Sequence, residues 1–225
     1  MEYKIFRRHE CSQAKGLCVI IDVLRAFTTA AFAFAAGAKE IILVASPEEA
    51  FKKYQNDNSL TLMGEVQGKD VEGFHYGNSP ADIENVCLKG KRMVQRTSEG
   101  TQGVVGCSHA DQLLVTSFVI AEATIKRIRA ISPSHVSFIV TGIEDGDEDL
   151  ALAEYLQARL QDNNISVAPF LERVRLSPLG QILSNPTKPK NYAKDLELAL
   201  QIDRFPFAIE ISKVDNELIA KPVHI

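Results

Sequence analysis

Short apolar runs alternate with longer amphipathic ones along most of this chain of 225 residues. That rhythm constrains the fold more than any other feature. A run of four to six apolar residues suits a buried strand, and a run with apolar positions every three or four residues suits a helix packed on it. Strands are expected over residues 3–7, 17–21, 40–45, 60–63, 92–95, 112–116, 136–141, 166–169 and 207–211. Helices are expected over 26–36, 47–55, 117–130 and 147–161. The helix from 26 ends at Gly37, a good residue to follow a helix. The helix from 47 opens Ser46-Pro47-Glu48-Glu49, with a cap, a proline in the first turn and early acids. Alternation of this kind predicts an α/β layered fold.

Beyond residue 161 the rhythm weakens. Pro178, Pro186 and Pro189 suggest a loop-rich stretch over 177–192, followed by a helix over 193–201. Residues 207–221 read as a hairpin turning at Asp215-Asn216. No repeat or long linker divides the chain, so a single domain over 1–225 is expected.

Composition excludes several function classes. Lys and Arg total 25 against 29 Asp and Glu, a net charge of −4. Basic residues do not cluster, so a nucleic-acid partner is not expected. The longest apolar run, 18–36, carries Asp22 and Arg25, which makes it a poor membrane span. The opening Met1-Glu2-Tyr3-Lys4 lacks the layout of a signal peptide, and Cys11, Cys18, Cys87 and Cys107 form no C-x-x-C pair. A reducing cytoplasm without a thiolate zinc cage is therefore expected, with Cys18 a buried thiol.

Ligands of open α/β sheets gather beyond the carboxyl ends of strands. Four of the expected ends carry chemistry. Asp22, Arg25, Thr28 and Thr29 follow the strand at 17–21. Gly64-Glu65 follows 60–63, Arg96-Thr97-Ser98-Glu99-Gly100-Thr101 follows 92–95, and an acidic run from Glu144 to Asp149 follows 136–141. Carboxylates suit a hard cation such as Mg²⁺, and a hydroxyl-rich glycine loop suits a phosphate. Together they point to metal-assisted chemistry on a phosphate ester. Each has a plainer reading as well. Asp22 suits a helix cap, Arg25 a bridge to Asp22, residues 97–101 an ordinary turn, and the acidic run a solvated helix start. An EF-hand is excluded, because Leu150 and Leu156 stand where its glycine and glutamate belong. Glu148 precedes Leu152 by four residues, which aims it at the buried stripe. No dinucleotide fingerprint, P-loop or G-x-S-x-G elbow occurs, and His9, His75, His109, His135 and His224 lack ligand spacing.

Four segments, in order, resemble motifs of the 2-phosphosulfolactate phosphatase family. Asp22-Val23-Leu24-Arg25-Ala26-Phe27-Thr28-Thr29 resembles D-V-L-R-A-x-T-T. Gly73-Phe74-His75-Tyr76-Gly77-Asn78-Ser79-Pro80 resembles G-F-D-x-G-N-S-P. Thr97-Ser98-Glu99-Gly100-Thr101 resembles T-T-N-G-T, and Glu148-Asp149 with Ala153 resembles E-D-x-x-x-A-G. The resemblance spans about residue 20 to 154. It implies one three-layer α/β/α domain with a mixed central sheet, and Mg²⁺-dependent hydrolysis of 2-phosphosulfolactate to sulfolactate and phosphate. In methanogens that reaction belongs to coenzyme M biosynthesis. Carried onto this chain, Asp22, Arg25, Glu65 and His75 are candidate catalytic residues. Asp22, Glu65, Glu148 and Asp149 are candidate metal ligands. Thr28, Thr29, Asn78, Ser79, Arg96, Thr97, Ser98, Glu99, Gly100 and Thr101 are candidate substrate contacts. The implied partner is a small phosphorylated acid, with a homo-oligomer allowed.

Three departures stand out. The family's G-E-R is Gly64-Glu65-Val66, without a guanidinium. The aspartate of G-F-D is His75, which exchanges a carboxylate for an imidazole. The asparagine of T-T-N-G-T is Glu99, whose carboxylate would repel phosphate. Arg96, Lys69 and His75 are the candidate compensating groups. Two alternatives follow: a paralogue that binds an anion or a protein without hydrolysis, or a different metal-dependent hydrolase using His75.

Overall fold

The computed structural model describes residues 1–142 and 147–225. Its strands are β1 (Glu2–Arg7), β2 (Leu17–Ile21), β3 (Glu40–Leu43), β4 (Thr61–Val66), β5 (Lys69–Asp70), β6 (Arg92–Arg96), β7 (Gln112–Thr116), β8 (His135–Val140), β9 (Phe207–Val214) and β10 (Glu217–His224). Its α-helices are α1 (Ala26–Ala35), α2 (Pro47–Asn56), α3 (Pro80–Ile83), α4 (Gly100–Gly106), α5 (Ala121–Ile131), α6 (Asp147–Gln161), α7 (Ala168–Leu176), α8 (Pro178–Ser184) and α9 (Lys190–Ala199). The fold is α/β, as expected, with helices on a large mixed sheet. None of the described helices is long and apolar enough to cross a membrane.

The ten strands share one sheet in the order β1-β8-β2-β7-β9-β10-β3-β6-β4-β5. It has two parallel halves. β1, β8, β2 and β7 run one way. β3, β6 and β4 run the other way, because the antiparallel β9–β10 hairpin is inserted between the halves. That hairpin turns at Asp215-Asn216, both with positive φ, as its sequence predicts.

One apolar cluster joins the halves. Ile20, Val115 and Ile139 from the first and Ile41, Met63 and Met93 from the second pack on α1 and α4. Helix α1 is Ala- and Phe-rich and buried almost all round, as a helix held in the interior must be. On the opposite faces, α5 and α6 cover the first half, with Val174 of α7, Leu183 of α8 and Leu196 of α9 in the same cluster. Ala50 of α2 covers the second half. Helix α2 begins as its sequence predicts, with the Ser46 hydroxyl accepting the Glu49 N–H at 3.3 Å.

Two expectations are corrected. Residues 166–169 are not a strand, because α7 begins at Ala168. Pro169 falls in the first helical turn, where its missing N–H costs nothing, whereas a central strand would lose a ladder bond. The stretch 177–192 is largely helical rather than loop-rich. Ser177 caps α8 by accepting the Gly180 N–H, Pro178 opens that helix, and Pro189 directly precedes α9. These prolines start helices instead of breaking them.

Candidate active site

Strands of opposite direction in a flat sheet end at opposite edges. Here the carboxyl ends of both halves meet. The Gln95 side chain at the end of β6 donates from Nε2 to the Ala26 carbonyl at the start of α1, at 2.9 Å. The approach of α4 to β2 is closer still. A Cβ added at Gly100 would lie 2.7 Å from Asp22 Oδ2 and 2.8 Å from the Ala26 Cβ, so glycine is required there. In the same way, a Cβ at Gly103 would meet Thr141 and Ile20. Asp22 therefore lies between two sets of strand ends.

Asp22 is buried, and its Oδ1 accepts the Ala26 N–H at 2.9 Å. The capping reading is thus realised, yet it uses only one oxygen. Oδ2 takes no hydrogen bond from the described residues. Burial raises the carboxyl to about 7 against the pull of the Ala26 N–H, and the negative charges of Glu65, Glu148 and Glu99 add to the rise.

The other acids differ in how free their oxygens are. Asp149 is buried and saturated. Oδ1 accepts the Val23 N–H at 2.8 Å, and Oδ2 accepts the N–H groups of Thr141 and Gly142 at 3.1 and 2.9 Å. It ties the end of β2 to that of β8. Burial drives its carboxyl well upward, as do the charges of Asp22 and Glu148, while those N–H donors oppose the rise. Glu65 is also committed, to the N–H groups of Ser98 at 2.6 Å and Gly68 at 2.5 Å. Glu148 does point inward as its spacing predicts. It is buried, its Oε2 has no partner, and burial raises its carboxyl. Glu144 and Asp145, from the acidic run, lie outside the described residues.

The remaining candidates separate by what their side chains touch. Arg25 does not bridge to Asp22; its Nη1 donates to Asp195 Oδ2 at 2.6 Å. Ser79 donates to the other oxygen of Asp195 at 2.6 Å, and the neighbouring Asn78 is buried with Oδ1 unpartnered. Thr28 and Thr29 donate to the carbonyls of Val23 and Arg25. Thr97 and Thr101 bond each other across the turn that opens α4. Those four hydroxyls hold backbone. Arg96 donates to the Glu65 carbonyl at 2.7 Å and braces the loop that carries Ser98. His75 stands apart. It is exposed, its ring lies edge-on to Tyr54, and Nδ1 accepts the Leu62 N–H at 2.9 Å.

Sequence reasoning missed four polar groups, three of them at strand ends and one on α9. Gln95 is fully buried with Oε1 unpartnered, and Ser117, just past β7, has a buried unpartnered hydroxyl. A polar residue closing an apolar run was the available signal for both. Asp195 lies in a helix without any motif. Arg8, just past β1, pairs through Nε with Glu99 at 2.6 Å. This pair answers the charge of Glu99 first, and the charge of Arg96, one of the expected compensating groups, adds to it. Burial raises the Glu99 carboxyl and Arg8 opposes the rise.

Among the described residues, no three acid, histidine or cysteine side chains form a ready metal cage. Mg²⁺ does not require one, since it binds through one or two carboxylates and keeps waters for the rest of its shell. Asp22 Oδ2 and Glu148 Oε2 are the oxygens free to serve. The donor chemistry fits Mg²⁺ on those two residues, while Asp149 and Glu65 are committed to backbone N–H groups.

The sequence matches the family model for 2-phosphosulpholactate phosphatase over residues 3–213. It is 32% identical over 199 residues to a protein of Bacillus subtilis named "Probable 2-phosphosulfolactate phosphatase", covering 87% of each chain. A protein of the same name from Clostridium perfringens is 32% identical over 153 residues, covering 65% of this chain and 62% of its own. One from a Synechococcus strain is 37% identical over 129 residues, covering 56% and 53%. A match running from β1 into β9, over strand ends that converge on Asp22, makes this chain a member of the 2-phosphosulfolactate phosphatase family.

Proposed function

We propose that the protein hydrolyses the phosphate monoester of 2-phosphosulfolactate, or of a related small phosphorylated 2-hydroxy acid, to the free hydroxy acid and phosphate, with Mg²⁺ as cofactor. The observation that carries this reading is Asp22: a buried carboxyl with one uncommitted oxygen, crowded by three other acids, beside an arginine that does not neutralise it. Such a group is completed by a cation, and the family supplies a substrate of matching charge.

Asp22 Oδ2 and Glu148 Oε2 would hold the ion, which when bound offsets phosphate charge and orients the attacking oxygen. The protein's own groups do the rest. Arg25 presents the N–H groups that Asp195 leaves free to an anionic oxygen of the substrate. Asp149 fixes the two strand ends on either side of Asp22, and Arg96 and Glu65 hold the Ser98 loop.

Phosphate release by purified protein, with Mg²⁺ and with EDTA, tests this directly. Turnover that needs Mg²⁺ is expected; no turnover across a panel of phosphorylated 2-hydroxy acids rejects the reading. A pH series adds a sharper check. Cation binding requires ionised Asp22, which must lose a proton below about pH 7. Mg²⁺ affinity should therefore rise by up to about tenfold per pH unit below that point and level off above it. An affinity flat from pH 5 to 8 would remove Asp22 from the site.

The alternative of a non-hydrolysing relative rested partly on Glu99. The Arg8 partner weakens that argument, because the pair brings no uncompensated charge to the site. Arg8→Ala is expected to raise KM by roughly three- to tenfold, since a half-buried carboxylate is then left to repel the substrate. Adding Glu99→Asn to Arg8→Ala should recover most of that loss. Steady-state kinetics on the two variants and wild type decide it, and a double variant no better than Arg8→Ala refutes the compensation.

A further inference from the structure

The C-terminal third of the chain contributes one residue to the site that no motif marks. Asp195, on α9, is fully buried. Its Oδ2 accepts Arg25 Nη1 at 2.6 Å, and its Oδ1 accepts the Ser79 hydroxyl at 2.6 Å and the Ala81 N–H at 3.0 Å. Both oxygens are thus used, and one side chain joins two segments that lie 170 and 116 positions away in sequence. Tyr192 stands almost one helical turn earlier. Its ring centroid is 4.9 Å from the Arg25 guanidinium carbon, within cation–π range.

We infer that Asp195 and Tyr192 form a seat that positions the Arg25 guanidinium for binding the anionic part of the substrate. A guanidinium carries five N–H donors in a rigid fork, and the seat takes one of them by hydrogen bond among the described residues. The remaining donors keep the direction that the seat imposes. Burial raises the Asp195 carboxyl, and the bonds from Ser79 and Arg25 oppose the rise. A buried ion pair is weak evidence for a purely stabilising role, since its desolvation offsets most of its attraction. Asp195 is accordingly a positioning residue and acts through Arg25.

The inference rests on the phosphatase reading, so the test reads anion binding as well as turnover. Wild type, Asp195→Asn, Arg25→Ala and the double variant are titrated with inorganic phosphate by calorimetry in the presence of Mg²⁺, and assayed with 2-phosphosulfolactate. Asp195→Asn should weaken phosphate binding about tenfold, as loss of one charge-assisted bond implies, and raise KM more than it lowers kcat. The double variant should be no worse than Arg25→Ala alone. Tyr192→Ala, which leaves Asp195 in place, should shift phosphate binding in the same direction by about threefold. It carries the test if Asp195→Asn does not fold. Losses that multiply in the double variant, or phosphate binding unchanged in both seat variants, would overturn the inference. So would a wild type that binds no phosphate. A wild type that binds phosphate with these couplings but turns over no substrate would reject the phosphatase reading and leave the seat standing.

Discussion

Asp22→Asn is expected to cut turnover by about 10³-fold and, at the same time, to stabilise the metal-free protein at alkaline pH. The amide keeps an oxygen to accept the Ala26 N–H, so the local cap survives. What disappears is the charge. Loss of an ionised ligand beside the reacting phosphate should lower kcat by about 10³-fold, the scale of several kcal/mol of lost charge stabilisation. The stability effect follows from linkage. The folded carboxyl is held at about 7, above its ordinary 3.8. Between those values the folded state binds more proton than the unfolded state, so wild-type stability falls as pH rises from about 4 to 7. Above 7 the cost is complete, on the order of 4 kcal/mol. The variant lacks this slope. In EDTA at pH 8 its Tm should exceed that of wild type by roughly 10 °C, with the difference shrinking toward pH 4. Thermal unfolding at several pH values measures it. Parallel Tm profiles for the two proteins would show that Asp22 is not a buried, strained charge. Adding Mg²⁺ should reverse the order, because only the wild-type carboxylate gains from the ion.

The second large effect concerns the frame beneath the site. Gly64 has a φ of +136°, and a Cβ built there would lie 1.8 Å from the Arg96 carbonyl oxygen and 2.8 Å from its carbon. Neither the dihedral nor the contact is open to another residue, and the obstruction is backbone, which cannot swing away. Gly64→Ala must part β4 from β6 at the Met63–Gln95 and Gly64–Arg96 register positions. It also displaces Glu65, whose carboxylate fixes the Ser98 loop. The expected cost is more than about 4 kcal/mol, a large part of the whole stability of a typical domain. A Tm lowered by at least about 10 °C, or failure to accumulate in soluble form, is the expected outcome. A variant melting within about 2 °C of wild type would mean that the strands part at little cost.

Much of the frame is legible from local pattern, because strands and helices differ in apolar period. The Ser46-Pro47 start of α2 and the Asp215-Asn216 turn were readable from single residues with known backbone preferences. Proline misled the reading beyond residue 161. Pro169 and Pro178 are helix-opening residues here, and local sequence does not separate that use from helix breaking without knowing which face the next segment buries. His75 shows a related limit. It lies inside a strong motif, yet its ring closes a backbone bond on β4 instead of joining the acids.

Local sequence by itself determined which residues bring chemistry to strand ends: Asp22, Glu65, the 97–101 turn and Glu148. A short-range pattern suffices for that, because a charged residue or a glycine turn that ends an apolar run marks where a buried strand stops. Which of their atoms remain free was decided only by the tertiary structure. The opposed halves of the sheet meet at Asp22. Asp149 and Glu65 give their oxygens to backbone N–H groups, Arg8 reaches Glu99, and Asp195 takes a hydrogen bond from Arg25. The Asp149–Val23, Glu65–Ser98, Arg8–Glu99 and Asp195–Arg25 pairings each join residues more than thirty positions apart in sequence. Such contacts are set by strand order and helix packing, which no run of neighbouring residues encodes.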